Sequence, residues 1–99
     1  MTRQIVVEPD AAAEIERIDD WWRLHRDKHP TLFTSELTAA FRRIAALPSA
    51  GKAVAGTTIS DVRRVLLPGC RFHIYYRYSQ TQVQVLAIWS AQHAERPDL

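Results

Sequence analysis

Apolar residues recur every three or four positions through the first half of the chain, which is the period of an amphipathic helix. The first run predicts a helix from about residue 9 to 28, with Pro9 in its first turn and its end before Pro30. The second run begins within "HPTLFTSEL" and ends before Pro48. The short connection predicts an antiparallel helical hairpin. The apolar positions are Ala11, Ile15, Ile18, Trp22 and His25, widened by Trp21 and Leu24, then Phe33, Leu37, Ala40, Phe41, Ile44 and Leu47.

The last third of the chain changes to the two-residue period of strands. The runs "DVRRVLL", "RFHIYYRY" and "VQVLAIW" predict three strands joined by the hairpin-sized connections "PGC" and "SQTQ". A further run, "RQIVV", predicts a strand near the N-terminus. In the second of the three strands, alternation assigns to one face Phe72, Ile74, Tyr76 and Tyr78, and to the other face His73, Tyr75 and Arg77. In the third strand it assigns to one face Val83, Val85, Ala87 and Trp89, and to the other face Gln84, Leu86 and Ile88.

These elements predict an α+β fold of order β-α-α-β-β-β, in which an antiparallel sheet carries the helical hairpin on one face. The first strand is expected to pair at one side of the meander formed by the other three. With 99 residues, the chain is expected to form a single domain over residues 1–99, because a second core would have too little chain. The segment "PSAGKAVAGTTISD" is expected to be mobile or to be shaped by a partner.

Composition and charge narrow the class of protein. The 46% of hydrophobic and 24% of charged residues exclude a disordered chain. With one cysteine and no apolar run long enough for a signal peptide or a membrane span, a soluble, cytoplasmic protein is expected. Residues 1–20 hold two basic and six acidic residues, a balance of −4, whereas residues 21–99 hold 11 basic and five acidic, a balance of +6. This asymmetry suits an acidic protein or a nucleic acid as partner, and it suits a solvated face equally well.

Basic and aromatic residues in the strands have more than one interpretation. Arg63, Arg64 and Arg77 suit either an anion-binding surface or the wet face of a sheet, paired there with Asp61 or Glu36. The alternation assigns Tyr76 and Tyr78 to the core and leaves Tyr75 either exposed or packed against the neighbouring strand. Trp21 and Trp22 are adjacent on one helix and cannot both face the core, so one of them is expected to lie in an interface.

Residues that could take part in catalysis or bind a metal do not form a recognisable set. His25 and His29 have the spacing of metal ligands, but without further ligands they are interpreted as a solvated helix end. Cys70 has no base nearby except His73, so a nucleophilic role is not expected. No cofactor and no metal are predicted.

The combination of these stretches resembles the RelE/ParE superfamily of toxins from type II toxin–antitoxin modules, and the ParE branch in particular. The resemblance covers about residues 4 to 97. It is carried by "EPDAAAEIERIDDWW", by "FTSELTAAFRRIAALPSAG" with its Leu-Pro-x-x-Gly helix end, and by "VRRVLLPGCRFHIYYRY" followed by "VQVLAIW". It implies a toxin that forms a hetero-oligomer with a ParD-like antitoxin, whose C-terminal segment folds along the helical hairpin and sheet.

The resemblance also implies a choice between two targets. RelE proteins cleave mRNA in the ribosome, and a RelE-like interpretation assigns catalysis to Arg64, His73 and Arg77. Leu66, however, falls where a second basic residue is expected, and the tail has no tyrosine. ParE proteins poison DNA gyrase by binding, which requires no catalytic residue. A protein with another target, or one that only binds antitoxin, is a further alternative.

The ParE interpretation is therefore favoured, although Ser90 follows Trp89 directly and the tail "WSAQHAERPDL" holds a single arginine. No membrane partner and no direct sequence-specific binding of nucleic acid are expected. An acidic antitoxin segment would explain the strand arginines equally well. The residues expected to contact target or antitoxin are Trp21, Trp22, Arg63, Arg64, Arg71, Tyr75, Arg77, Trp89, His93 and Arg96.

Overall fold

A computed structural model describes residues 2–93 and 95–99. The α+β class and the order of the predicted elements are confirmed, with α1 ending at His25 rather than near residue 28. The Arg26 amide closes the last turn by donating to the Trp22 carbonyl (2.9 Å), and the backbone then leaves the helical conformation. The elements are β1 Gln4–Val7, α1 Pro9–His25, α2 Leu32–Ala46, a 3₁₀ turn Pro48–Ala50, β2 Lys52–Ala53, β3 Arg63–Leu67, β4 Phe72–Tyr78 and β5 Gln82–Ser90.

The strands form one sheet in the order β1-β5-β4-β3-β2. The last three strands pair as the predicted antiparallel meander, and β1 lies beside β5, to which it runs parallel. The two-residue strand β2 was not predicted; it pairs Lys52 with Arg64 and Ala53 with Arg63. The segment after α2 therefore extends the sheet at the edge opposite β1.

An irregularity in the pairing of β4 with β5 changes which residues face the core. Tyr75 lies opposite Ala87 whereas Tyr76 lies opposite Val85, so Leu86 is an extra residue on β5. The bulge inverts the alternation beyond it. Ile88 is consequently buried in the core, and Trp89 pairs with His73 on the other face, so the predicted faces of both residues were wrong.

Both helices pack on one face of the sheet and cover the core. Three residues predicted to be apolar and inward are instead exposed: Leu24 (79%), Leu47 (59%) and Tyr78 (37%). Leu24 follows the buried Trp22 by two positions and so lies on the far side of the helix. Leu47 is beyond the last helical residue, and Tyr78 ends its strand. The core comprises Ala11, Trp22, Phe33, Leu37, Ile44, Val65, Leu67, Cys70, Ile74, Tyr76, Val83, Val85 and Ile88.

The side chain of Tyr76 joins the sheet to the segment that follows α2. Its buried hydroxyl donates to the Pro48 carbonyl (2.6 Å) and accepts from the Gly51 amide (2.9 Å). A Cβ at residue 51 would collide with the Tyr76 ring, which explains glycine there. Burial raises the pKa of Tyr76 above its ordinary value of 10.0, so the hydroxyl remains a donor.

The carboxylate of Glu36 joins α2 to the turn between β3 and β4. Its two oxygens accept from the amides of Gly69 (2.8 Å) and Cys70 (2.9 Å). Burial by itself would raise the pKa of Glu36, but these hydrogen bonds outweigh it, and the pKa lies below 4.5. Glu36 is thus committed to backbone amides and not to the strand arginines.

Replacement of Tyr76 by phenylalanine should lower the free energy of unfolding by about 1–3 kcal/mol, because it leaves two buried backbone groups without a partner. Urea unfolding of the variant and of the parent measures the difference. Tyr78→Phe is the matched control, since that side chain is partly exposed, and its effect should be within about 0.5 kcal/mol. Equal losses in the two variants would contradict the assigned role of the Tyr76 hydroxyl.

Replacement of Glu36 by glutamine should destabilise the fold by roughly 1 kcal/mol near neutral pH, because an amide offers one acceptor oxygen to two N–H donors. The pKa of Glu36 is lower in the folded state, so the stabilisation by its carboxylate is complete above the unfolded-state pKa and is lost as pH falls through the folded-state pKa. The difference from the parent should therefore shrink on acidification.

Urea unfolding over a series of pH values tests this expectation, with Glu16→Gln on the exposed side of α1 as control. A Glu36→Gln deficit that stayed constant down to strongly acidic pH would show that the charge of the carboxylate has no role.

Candidate interaction surfaces

The face of the sheet that is turned away from the helices, here called the outer face, carries the predicted contact residues Arg64, Tyr75, Arg77 and Trp89. Strand pairing places three of them, together with other side chains, in two rows. One row of cross-strand neighbours consists of Lys52, Arg64, Tyr75 and Ala87. The other row consists of Leu66, His73 and Trp89. Arg77 lies farther along β4 on the same face.

The cations of the outer face have few protein partners. Arg64 donates a long hydrogen bond of 3.4 Å to the Tyr75 hydroxyl. The salt bridges found within residues 2–93 and 95–99 both lie in α1, where Glu14 pairs with Arg17 and Asp19 with Arg23. The predicted pairing of strand arginines with Asp61 or Glu36 therefore does not occur in this described part of the chain.

The environment of His73 is electropositive. Burial lowers the pKa of His73 below 6.5, and the neighbouring charges of Arg64 and Arg71 lower it further. The imidazole is thus held neutral near physiological pH. Its ring makes an edge contact with Tyr75, with centroids 6.1 Å apart.

Two of the predicted contact arginines have structural partners. Arg63 faces the helices and donates to the Gly51 carbonyl (2.7 Å), beside the hydroxyl of Tyr76. Arg77 donates to the Gln84 amide oxygen (2.8 Å), and Gln84 in turn donates to the Glu8 carboxylate. These two guanidinium groups hold local structure, whereas Arg64 and Arg71 remain available for a ligand.

The loop before β3 and the C-terminal segment are joined by hydrogen bonds. The Leu99 carbonyl accepts from the amides of Thr58 (2.7 Å) and Ile59 (2.9 Å) and from the Thr58 hydroxyl (2.7 Å). Gly56 has a φ of 76°, and the Arg96 guanidinium lies beside it. The loop that was expected to be mobile or shaped by a partner thus holds the tail of its own chain.

Two aromatic residues of the outer face have different exposures. Tyr75 is only 2% exposed, although sequence left it either exposed or packed. Trp89 is half-buried; its indole donates to the Glu95 carbonyl (3.0 Å), and His93 packs edge-on against its ring with centroids 6.0 Å apart. The tail therefore contributes directly to the rim of the outer face.

The C-terminal end of α1 presents a second surface, here called the α1 patch, formed by Trp21, Leu24, His25 and Arg26. Trp21 is 43% exposed and Trp22 is 8% exposed, which confirms that they do not share one core. The His25 ring stacks on Trp21 with centroids 4.7 Å apart, and the Arg26 guanidinium lies 4.8 Å from the Trp21 ring. Exposed aromatic and apolar side chains ordered in this way are typical of a protein interface.

The remaining candidate residues offer no evident reaction chemistry. Burial, together with the adjacent Glu36 carboxylate, raises the pKa of the Cys70 thiol to about 12, so that the thiolate is suppressed. Within residues 2–93 and 95–99, no cluster of three or more His, Cys, Asp or Glu residues could hold a metal ion. None of the helices in that same part of the chain is long and apolar enough to cross a membrane.

Comparison with known proteins identifies the family. No curated protein matches the sequence significantly. Among solved structures, the fold is similar to that of a chain described as the "Chromosomal ParDE TA system from P. aeruginosa", with a TM-score of 0.72 at 15% identity, over 92% of this chain and 98% of that one. The family model for the ParE toxin of the type II toxin–antitoxin system parDE matches residues 5–95. The chain therefore belongs to the ParE toxin family.

Proposed function

We propose that this chain is the toxin of a type II toxin–antitoxin pair, that a ParD-like antitoxin neutralises it in the cytoplasm, and that its target is DNA gyrase. The proposal rests on the family match over residues 5–95. It is supported by the outer face, whose basic side chains could bind a partner. The chain lacks the second basic residue, at Leu66, and the tail tyrosine that a RelE-like nuclease would have. Inhibition by binding requires no bond chemistry from such a surface.

The α1 patch is the surface that best suits the antitoxin. Trp21 and Leu24 expose apolar area beside the charged Arg26, so an amphipathic segment that folds on binding could bury the former and pair an acidic side chain with the latter. Toxin and antitoxin would then form a hetero-oligomer in which the patch is covered.

One observation favours a second function, RelE-like cleavage of mRNA. His73 is held neutral between Arg64 and Arg71, an arrangement in which an imidazole can accept a proton while guanidinium groups bind a phosphate. This alternative uses Arg64, His73 and Arg77 as its reactive set. It is weaker because Arg77 is bonded to Gln84 and the exposed Leu66 occupies the position beside His73.

Toxin released from its antitoxin should inhibit gyrase supercoiling and cause cleaved DNA to accumulate, while mRNA on translating ribosomes stays intact. Both assays are run on one preparation, with the toxin–antitoxin complex as the inactive control. Cut mRNA with unaffected gyrase would replace the gyrase proposal with the RelE-like one. Inactivity in both assays would refute both candidates and leave either another target or antitoxin binding alone.

Replacement of Trp21 by alanine should weaken antitoxin binding by roughly 30-fold, because truncation of a central interface tryptophan commonly costs about 2 kcal/mol. Leu47→Ala is the matched control, since Leu47 is also exposed and apolar but lies outside the α1 patch. Titration calorimetry with the antitoxin measures both variants. Equal affinities for Trp21→Ala and the parent would exclude the patch from the antitoxin interface.

A further inference from the structure

The edge of the outer face contains an unfavourable pairing of like charges. Lys52 on β2 lies directly opposite Arg64 on β3, and cross-strand neighbours of like charge destabilise a sheet. Lys52 is exposed and Arg64 is half-buried, so water does not screen the pair completely. An anion bound between the two side chains would relieve this repulsion.

Further positive charge lies at the other end of the same face. Arg71 is exposed and occupies the left-handed region with φ 63°, where its amide donates to the Leu67 carbonyl (2.8 Å) and fixes the turn. Its charge, like that of Arg64, is close enough to lower the pKa of His73. The outer face therefore has Arg64 and Arg71 near one imidazole, and Lys52 beside Arg64 at the edge of the sheet.

The carboxylates near this face are directed elsewhere or lie at its margins. Glu36 accepts from the amides of the β3–β4 turn, and Glu8 accepts from Gln84. Asp61 shares a shallow cavity with Arg77, and Glu95 and Asp98 belong to the tail. Within the described residues none of them forms a salt bridge with Lys52, Arg64 or Arg71.

Between the cations the outer face carries one exposed leucine and two ring side chains. Leu66 is 41% exposed and is followed across the sheet by His73 and Trp89. These side chains offer a surface for packing, but no converging set of donors and acceptors that would read the edges of bases. A ligand recognised here would be bound through its negative charges and not through its sequence.

We propose that Lys52, Arg64 and Arg71 bind phosphates of duplex DNA in a sequence-independent manner, so that the outer face contacts the DNA segment held by gyrase. The gyrase context rests on the proposed function, whereas the DNA contact rests on the placement of charge. DNA is favoured over an acidic peptide because an antitoxin segment has the apolar α1 patch to bury, while the outer face offers mainly charge. Guanidinium groups suit phosphate oxygens because they donate two parallel hydrogen bonds.

The test measures fluorescence anisotropy of a labelled duplex of about 20 base pairs titrated with antitoxin-free toxin, without gyrase, over a series of salt concentrations. Three phosphate contacts predict a slope of log K against log salt of about −2.7. Lys52→Gln and Arg71→Gln should each weaken binding roughly tenfold at about 50 mM salt and reduce the slope by about 0.9. Both side chains are exposed, so the variants should fold normally.

Arg42→Gln is the matched control, because Arg42 is an exposed arginine on α2, outside the outer face. Arg64→Gln is included with a thermal unfolding measurement, since it also removes the contact with Tyr75. Loss of binding in the two exposed variants, with Arg42→Gln unchanged, supports the proposal. No duplex binding, or an equal loss in the control, overturns it.

Three further outcomes separate this proposal from the alternatives. If Lys52→Gln and Arg71→Gln weaken antitoxin binding while the duplex is not bound, the outer face belongs to an acidic peptide and the DNA contact is refuted. Tighter binding of single-stranded RNA than of the duplex would refute it in favour of the RelE-like function. Gyrase inhibition that is equal in parent and variants would refute the DNA contact but leave the gyrase target standing.

Discussion

The hydroxyl of Tyr76 links the core of this protein to the outer face, through which the protein is proposed to act. It lies on the central strand β4 and is bound between the Pro48 carbonyl and the Gly51 amide. Lys52 follows Gly51 directly and pairs with Arg64 on β3. The buried contact of Tyr76 therefore helps to position Lys52 on the outer face.

The two faces of the sheet have different physical roles. The helices cover one face and bury an apolar core, which provides most of the stability of such a fold. The outer face retains cations without salt-bridge partners in the described part of the chain, and their repulsion reduces stability. Like charges held close together in this way support the proposal that the outer face binds an anionic ligand. The α1 patch provides a separate apolar surface, so antitoxin and target need not bind in the same way.

Much of the fold follows from the sequence because its helices and strands have clear periods, and the separation of Trp21 from Trp22 follows from helix geometry. The bulge at Leu86 does not, because alternation assumes continuous pairing and one extra residue reverses every face beyond it. The two-residue β2 is too short to have a periodic signal. The hydrogen bonds from the amide and the hydroxyl of Thr58 to the Leu99 carbonyl join residues 41 positions apart, and no local sequence pattern predicts them.

The assignment of separate surfaces to antitoxin and target is tested most directly by a photo-cross-linking side chain, placed at Leu66 on the outer face or at Leu24 in the α1 patch. Both positions are exposed, so neither change should disturb the fold. In a reaction containing gyrase and DNA, residue 66 should cross-link to gyrase or to its DNA. In the toxin–antitoxin complex, residue 24 should cross-link to the antitoxin. Cross-linking of gyrase from residue 24 and not from residue 66 would contradict the assignment of these surfaces.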